Sequence, residues 1–404
     1  MNIRVFPGVA KGTVAAPPSK SMAHRLLIGA GLAVGASTVH HVAFSQDIRA
    51  TLDCLRALGA NIAVQEDRVQ VFGNHPANAP EGALLACRES GSTLRFFVPL
   101  CLLGDRTRVL TGSSRLLERP QWVYETLCRQ QGLTFTRLPD RIITCGPLRS
   151  SRYTVPGNVS SQFVSGLLFA LPFLESDSLI ELEPPVESRS YIDLTLQALR
   201  RFGVTVGWQS ETALFVQAGL YKPADVTVEG DYSNAAFWHA LNVLGGQITV
   251  TGLQTDSLQG DRVYQELFPR IADGVATVSL ADCPDLGPIV MALAAACHGA
   301  VLTDTARLRM KESDRGAAMA AELAKFGVAV TVEENRITVH GGVLHTPTEP
   351  LCGHNDHRIV MALATLCTVT GGVITGAEAV AKSYPDYFER LAECGIEWKE
   401  ESQA

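Results

Sequence analysis

The chain has 404 residues, 46% hydrophobic and 19% charged, a composition that suits a packed protein and argues against disorder. Its 34 basic and 41 acidic residues give a net charge of −7 with no basic tail, so neither a duplex-binding surface nor an anionic-membrane patch is expected. No apolar run reaches the roughly 20 residues of a membrane span, and Met1-Asn2-Ile3-Arg4-Val5 has no secretory or transit character, so a cytoplasmic protein is expected.

Six segments share one layout: a small polar residue, an apolar helix and a glycine-rich exit. They open at Ser19, Ser90, Ser160, Ser233, Asp285 and Asn355, at intervals of 71, 70, 73, 52 and 70 residues. Interleaved with them are amphipathic helices that stop at Gly59, Gly132, Gly203, Gly274, Gly327 and Gly395, at intervals of 73, 71, 71, 53 and 68 residues. Both series shorten at the same place, which unrelated markers would not do by chance, so the chain reads as a sixfold repeat.

In the first unit, Ile48, Leu52, Leu55 and Leu58 form the stripe of an amphipathic helix ending at Gly59, a residue suited to a left-handed C-cap. In the third, Ser161–Ala170 is apolar on nearly every face and should be buried. The fourth carries a strand at Gly246–Val250 and is short, because little more than Val275–Val278 separates Gly274 from the helix that Asp285 is expected to cap. The fifth has the stripe Met319, Leu323 and Phe326, then strands Val328–Val332 and Arg336–Val339 around the turn Glu333-Glu334-Asn335. Each full unit is therefore two helices and three or four short strands, and three units per half give two similar domains. The ten cysteines show no Cys-x-x-Cys pair and often sit in apolar runs, so they read as buried small hydrophobes in a reducing compartment.

The starts of the apolar helices carry residues suited to anions: Ser19-Lys20-Ser21 with Arg25, Gly91-Ser92-Thr93 with Arg95, Ser160-Ser161-Gln162, and Asn355-Asp356-His357-Arg358. A helix N-terminus offers unpaired N–H groups and partial positive charge. Each serine alone is as well explained as an N-cap. The cations are harder to explain that way, because Lys20, Arg25, Arg95 and Arg358 interrupt apolar helices where an unpaired charge is costly. Four such intrusions near the same end of equivalent helices predict one shared site for a polyanion. Arg115, Arg119, Lys311, Arg315 and Lys382 add charge in segments leading to the amphipathic helices, with Asp285 and Glu312 as acidic companions. The phosphate-loop, dinucleotide and Gly-x-Ser-x-Gly signatures are absent, and His354 with His357 lacks further ligands for a metal.

Five motifs together resemble 5-enolpyruvylshikimate-3-phosphate synthases: Pro18-Ser19-Lys20-Ser21-Met22-Ala23-His24-Arg25, Leu110-Thr111-Gly112 through Glu118-Arg119-Pro120, Lys311-Glu312-Ser313-Asp314-Arg315, Asn355-Asp356-His357-Arg358 and Lys382-Ser383-Tyr384-Pro385-Asp386. The resemblance spans nearly the whole chain in unbroken order. It implies an α/β (α+β) fold of two domains, each of three βαβαββ units in an inside-out barrel, with helix N-termini facing a cleft. It also implies that the N-terminal strand joins the C-terminal half. The expected domains are 18–228, binding mainly shikimate 3-phosphate, and 1–17 with 229–404, carrying the proton-transfer residues and much of the phosphoenolpyruvate site.

The implied reaction transfers the enolpyruvyl group of phosphoenolpyruvate to the 5-hydroxyl of shikimate 3-phosphate, releasing phosphate, with no metal or organic cofactor. The resemblance assigns Lys20, Ser21, Arg25, Ser160, Ser161, Gln162, Ser188, Tyr191, Asp285 and Lys311 to shikimate 3-phosphate. It assigns Lys20, Gly91, Arg119, Gln162 and Lys382 to the phosphate of phosphoenolpyruvate, and Arg315 and Arg358 to its carboxylate. Asp285 is expected to deprotonate the hydroxyl and Glu312 to protonate the methylene, with Lys20 as a participant. Better-known members carry Asn where this chain has His24, Glu89 and, in some, Arg307. The alternatives are UDP-N-acetylglucosamine enolpyruvyl transferase, whose loop cysteine has no match in Thr111-Gly112-Ser113-Ser114-Arg115, and a non-catalytic anion-binding protein of the same fold. A monomer is expected, without nucleic-acid or membrane partners.

Overall fold

The computed structural model describes residues 1–401. Its contacts separate into two compact units, Pro18–Glu229 and Met1–Pro17 with the chain from Gly230 onward. In the unit of Pro18–Glu229, three four-stranded sheets repeat one pattern. Ala83–Ala86 lies parallel to Arg108–Thr111, which pairs antiparallel with Arg141–Cys145, itself antiparallel to Thr134–Arg137. A parallel pair needs a long crossover, and the apolar helix Gly91–Cys101 supplies it. The amphipathic helix Trp122–Gln131 then leads into the antiparallel hairpin, completing βαβαββ. Arg152–Pro156 starts the next sheet in the same way. Asp225–Thr227, from the end of the unit, lies parallel to Ala36–His40 and completes the first sheet.

The other unit follows the same rule with the N-terminal segment threaded in. Asn2–Val5 sits between Gly372–Thr375 and Trp398–Glu401, with Ile3 opposite Ile374, while Lys11–Ala15 pairs with Gln247–Thr251 in a two-stranded sheet. That small sheet belongs to the short fourth repeat. Ala276–Ser279, Gly299–Thr303, Arg336–His340 and Val330–Val332 form a regular four-stranded sheet.

Six inner helices form the cores: Lys20–Leu32, Gly91–Cys101 and Ser161–Ala170 in one unit, Tyr232–Val243, Gly287–Ala296 and His357–Thr370 in the other. Apart from the polar residues at their starts they are apolar around most of their circumference and largely buried; every residue from Gly287 to Ala295 is buried. The outer helices bury one stripe, with Ile48, Leu52, Leu55 and Leu58 inaccessible in the first and Met319, Leu323 and Phe326 in the fifth. Among the described residues, no helix is long and apolar enough to cross a membrane.

Five local expectations are corrected. The fourth inner helix is capped by Asp231, whose carboxylate accepts the Asn234 N–H at 2.8 Å, so Ser233 lies inside it. The sixth is capped by Asp356, which accepts the Arg358 N–H at 2.9 Å, not by Asn355. Asp285 caps nothing: Pro284–Leu286 forms a 3-10 turn, the helix begins at Gly287, and the Asp285 carboxylate is taken up by cations. Gly274 ends its helix in extended backbone (φ 172°) rather than the left-handed conformation of Gly132 (φ 69°). All ten cysteines are free thiols, and Cys352 departs from the expected burial by facing solvent.

Candidate active site

In the unit of Pro18–Glu229, the serines at the inner-helix starts do cap. Ser19 Oγ accepts the Met22 N–H, Ser90 Oγ the Thr93 N–H at 3.2 Å, and Ser160 Oγ the Gln162 N–H at 3.3 Å. The intruding cations are each tied to remote residues. Lys20 Nζ pairs with Asp47 Oδ2 at 2.9 Å. Arg25, 3% exposed, donates from Nε to Thr195 Oγ1 at 2.8 Å, and from its two terminal nitrogens to the carbonyls of Ser21 at 2.6 Å and Tyr191 at 2.9 Å. Burial, opposed by the Tyr191 hydroxyl, draws the Arg25 pKa down to about 10, so it stays cationic at neutral pH. Three expected ligands (Ser21, Arg25 and Tyr191) are thus brought together.

A second group forms around Arg95. Its Nη1 donates to Gln162 Oε1 at 2.8 Å and to Ser160 Oγ at 3.3 Å, and Nη2 donates to the Pro120 carbonyl at 3.0 Å. Gln162 Nε2 in turn donates to Ser92 Oγ at 3.0 Å. The guanidinium of buried Arg119 lies over Gly91, where a Cβ would come within 2.6 Å of Arg119 Nη1; glycine there permits the close approach. Ser161 is the first residue of its helix and buried. Ser188 holds a left-handed conformation (φ 54°) before Arg189–Arg201, and its carbonyl accepts the Tyr191 N–H at 3.1 Å. Arg115 is exposed. His24 lies in the interior, where its Nδ1 meets Thr51 Oγ1 at 2.7 Å and starts a buried hydroxyl chain through Thr93 to Ser90. Burial, then the charges of Lys20 and Arg25, hold its imidazole well below its usual pKa and keep it neutral.

In the other unit, Arg315 is the hub and is 1% exposed. Its Nη1 donates to Asp285 Oδ1 at 2.8 Å, Nη2 to Glu312 Oε2 at 2.9 Å, and Nε to Asp356 Oδ2 at 2.9 Å. Lys311 Nζ meets Asp285 Oδ1 at 3.0 Å, and Arg358 Nη2 stands 4.0 Å from Asp285 Oδ2. Burial alone would raise the Asp285 carboxyl, but Lys311, Arg358 and Arg315 outweigh it and hold it well below the usual range. Burial lowers the Lys311 pKa, with Asp285 opposing. Lys382 Nζ donates to the Asn355 carbonyl at 2.6 Å, tying it to the start of the sixth inner helix. Arg307 is buried, with Nη1 donating to the Ala281 carbonyl at 3.3 Å. Asp261 accepts a hydrogen bond from Ser233, and burial followed by the charge of Asp285 pushes its carboxyl up to about 6.

Asp47, Thr195, Asp261, Glu322 and Asp356 carry no role in the sequence expectations; all but Glu322 contact or flank an expected residue, and Glu322 meets His354 and Cys352 instead. Only Asp356 left a signal, as part of a motif already marked. Among the described residues, no cluster of three His, Cys, Asp or Glu could hold a metal ion. The arrangement offers two things chemically: fixed cations for phosphate and carboxylate groups, and two carboxylates on one guanidinium, each 19–20% exposed in its side chain and so reachable for proton exchange.

A sequence model of the EPSP synthase (3-phosphoshikimate 1-carboxyvinyltransferase) family matches residues 7–391. The 3-phosphoshikimate 1-carboxyvinyltransferase of Clostridium kluyveri is 40% identical over 98% of this chain and 97% of its own length, and that of Clostridium beijerinckii is 36% identical over the same shares. An EPSP synthase from Acinetobacter baumannii has the same fold at a TM-score of 0.80 with 23% identity, covering 100% of both chains. The enolpyruvyl transferase NikO from Streptomyces tendae has it at 0.77 with 16% identity, covering 98% of both.

Proposed function

The chain belongs to the EPSP synthase family, and from that premise we propose how its own residues carry the transfer of the enolpyruvyl group from phosphoenolpyruvate to the 5-hydroxyl of shikimate 3-phosphate. The observation that carries the reading is the bracket of Asp285 and Glu312 on the single guanidinium of Arg315, with Lys311 on the same Asp285 oxygen. Two phosphates at about −1.5 to −2 each and two carboxylates require many cations. Arg25, Ser21, Ser160, Ser161, Gln162, Ser188, Tyr191 and Lys311 serve shikimate 3-phosphate. Lys20, Gly91, Arg119, Gln162 and Lys382 serve the phosphate of phosphoenolpyruvate, and Arg315 and Arg358 serve its carboxylate. Arg358 supports this role: its Nε and Nη1 find no hydrogen-bond partner among the described residues, which is costly for a buried guanidinium unless an anion completes it.

The two carboxylates divide the proton work. Asp285 takes the proton of the 5-hydroxyl as the hydroxyl oxygen bonds to C2 of phosphoenolpyruvate, while Glu312, which enters the cycle as the protonated acid, delivers its proton to C3 and makes it a methyl group. In the second step Glu312 removes a methyl proton, the C2–O bond to phosphate breaks, and Asp285, with Lys20 assisting, returns its proton to the departing phosphate. Both residues end as they began. Asp285 in the free protein is a weak base because of its cations; substrate anions compete for Lys311 and Arg315 and so raise its basicity when the hydroxyl is in place. Fixed cations stabilise the charge that develops.

The residues of 18–228 bind mainly shikimate 3-phosphate in this reading, and those of 1–17 with 229–404 supply the proton carriers. We propose further that the protein acts as a cytoplasmic monomer. The test is phosphate release from phosphoenolpyruvate with shikimate 3-phosphate and, separately, with UDP-N-acetylglucosamine. Turnover with the first alone is expected; turnover with the second alone, or with neither, overturns the reading.

A further inference from the structure

The turn that precedes the sixth inner helix holds two consecutive residues in the left-handed region, His354 (φ 49°) and Asn355 (φ 51°). A single non-glycine residue there is uncommon, and a conformation of this kind persists only where its surroundings fix it. This turn presents two groups to the site. The Asn355 carbonyl accepts Lys382 Nζ at 2.6 Å, and Asp356 accepts both Arg315 Nε at 2.9 Å and the Arg358 backbone N–H at 2.9 Å.

What fixes the turn comes from the outer helix Arg315–Lys325. Glu322 on that helix is 2% exposed, unlike an ordinary outer-helix carboxylate. Its Oε2 accepts the Cys352 backbone N–H at 2.9 Å and Lys325 Nζ at 2.8 Å, and its Oε1 meets His354 Nε2 at 2.9 Å. One side chain thus grips the chain on both sides of Gly353. Where Glu322 is a carboxylate it can only accept, so the His354 ring presents Nε2–H to it. Arg315 and Glu322 stand on one helix, so the helix that carries the hub guanidinium also holds the turn that carries Asp356, its partner.

The geometry points to Glu322 and His354 as a clamp that positions Lys382, Arg315 and Arg358 for phosphoenolpyruvate, neither residue touching substrate. The inference rests on the functional reading above, which gives those three cations to phosphoenolpyruvate. It commits to one substrate: residues gripping shikimate 3-phosphate are drawn mainly from the other unit, so its binding should be insensitive to the clamp.

The test is His354→Asn in the full-length protein. Asn tolerates the left-handed backbone but is too short to reach Glu322, so the clamp opens with little added backbone strain. The expected result is a rise in KM for phosphoenolpyruvate of about tenfold, the effect of losing one charge-assisted hydrogen bond, with KM for shikimate 3-phosphate changed less than twofold. His354→Gln, whose amide reaches the carboxylate, should restore most of the loss. Glu322→Gln is the second variant, since its amide can donate to His354 while its carbonyl still accepts from Cys352. It should lie between wild type and His354→Asn. An unchanged KM for phosphoenolpyruvate in His354→Asn, an equal rise for both substrates, or no rescue by His354→Gln overturns the clamp. A wild-type protein that fails to turn over shikimate 3-phosphate overturns the functional reading instead.

Discussion

Asp285 and Asp261 are both buried carboxylic acids, yet their surroundings drive them in opposite directions. Lys311, Arg358 and Arg315 overcome burial at Asp285 and keep it ionised, whereas burial and then the charge of Asp285 push Asp261 up to about 6. An unfolded chain titrates Asp near 3.9, so between about pH 4 and 6 the folded state holds a proton at Asp261 that the unfolded state has lost. Stability from this group therefore falls as pH rises through that window. Asp261→Asn should flatten the difference in urea-unfolding free energy between pH 4.5 and 7; an unchanged slope would show that Asp261 does not titrate there. The sign for Asp285 is opposite: its contribution is complete above pH 4 and is lost as pH falls towards its depressed pKa. For catalysis, Asp285→Asn and Glu312→Gln should fold normally and lose roughly 10²–10⁴-fold in turnover, the usual size of a proton-transfer contribution. Wild-type rates in either variant would remove that residue from the mechanism.

Helices meet the site through two glycines whose replacement should have different outcomes. At Gly91 a Cβ would meet the flexible end of Arg119 at 2.6 Å, whereas at Gly166 it would meet the Arg95 carbonyl at 2.4 Å and the Tyr124 hydroxyl at 2.3 Å. Gly91→Ala should leave the denaturation midpoint nearly unchanged while displacing Arg119 and raising KM for phosphoenolpyruvate. Gly166→Ala forces two inner helices apart and should cost about 1–3 kcal/mol or more in chemical denaturation. At this scale the sequence is most readable. The sixfold repeat follows from the matching intervals of polar helix starts and glycine stops, and the inner and outer helices lie where the apolar runs and stripes between those markers set them. Cap identity is less readable, because Asp231 and Ser233, or Asn355 and Asp356, are equally good capping types two residues or fewer apart, and tertiary contacts choose between them. The second partners of the cations are scarcely readable: Asp47 lies 27 residues from Lys20 and Thr195 lies 170 from Arg25, and Asp356, 41 from Arg315, shows only as a member of a marked motif and not as a partner. Nothing local marks such pairs; only the folded repeat brings them into reach.

Across the whole molecule, each unit closes on itself at its ends. The Ser19 N–H donates to the Glu229 carbonyl at 2.7 Å within one unit, and the Asp231 N–H donates to the Pro17 carbonyl at 2.8 Å within the other. Residues 18–229 contain three complete sheets, their helices and a continuous core. Expressed alone, that segment should unfold in one cooperative transition and show the near-ultraviolet signal of packed aromatics. A non-cooperative melt would mean that it depends on the rest of the chain.

The placement of Asn2–Val5 between Gly372–Thr375 and Trp398–Glu401 also sets an order of events in the cell. The strand Asn2–Val5 leaves the ribosome long before its partners at 372–375 and 398–401 are made. At roughly 5–20 residues per second, it waits about 20–80 s for them. Meanwhile the inserted unit has its whole sequence and can fold. Newly made protein should therefore pass through a stage with one half finished and an unpaired N-terminal strand, the stage most open to aggregation and to chaperone capture.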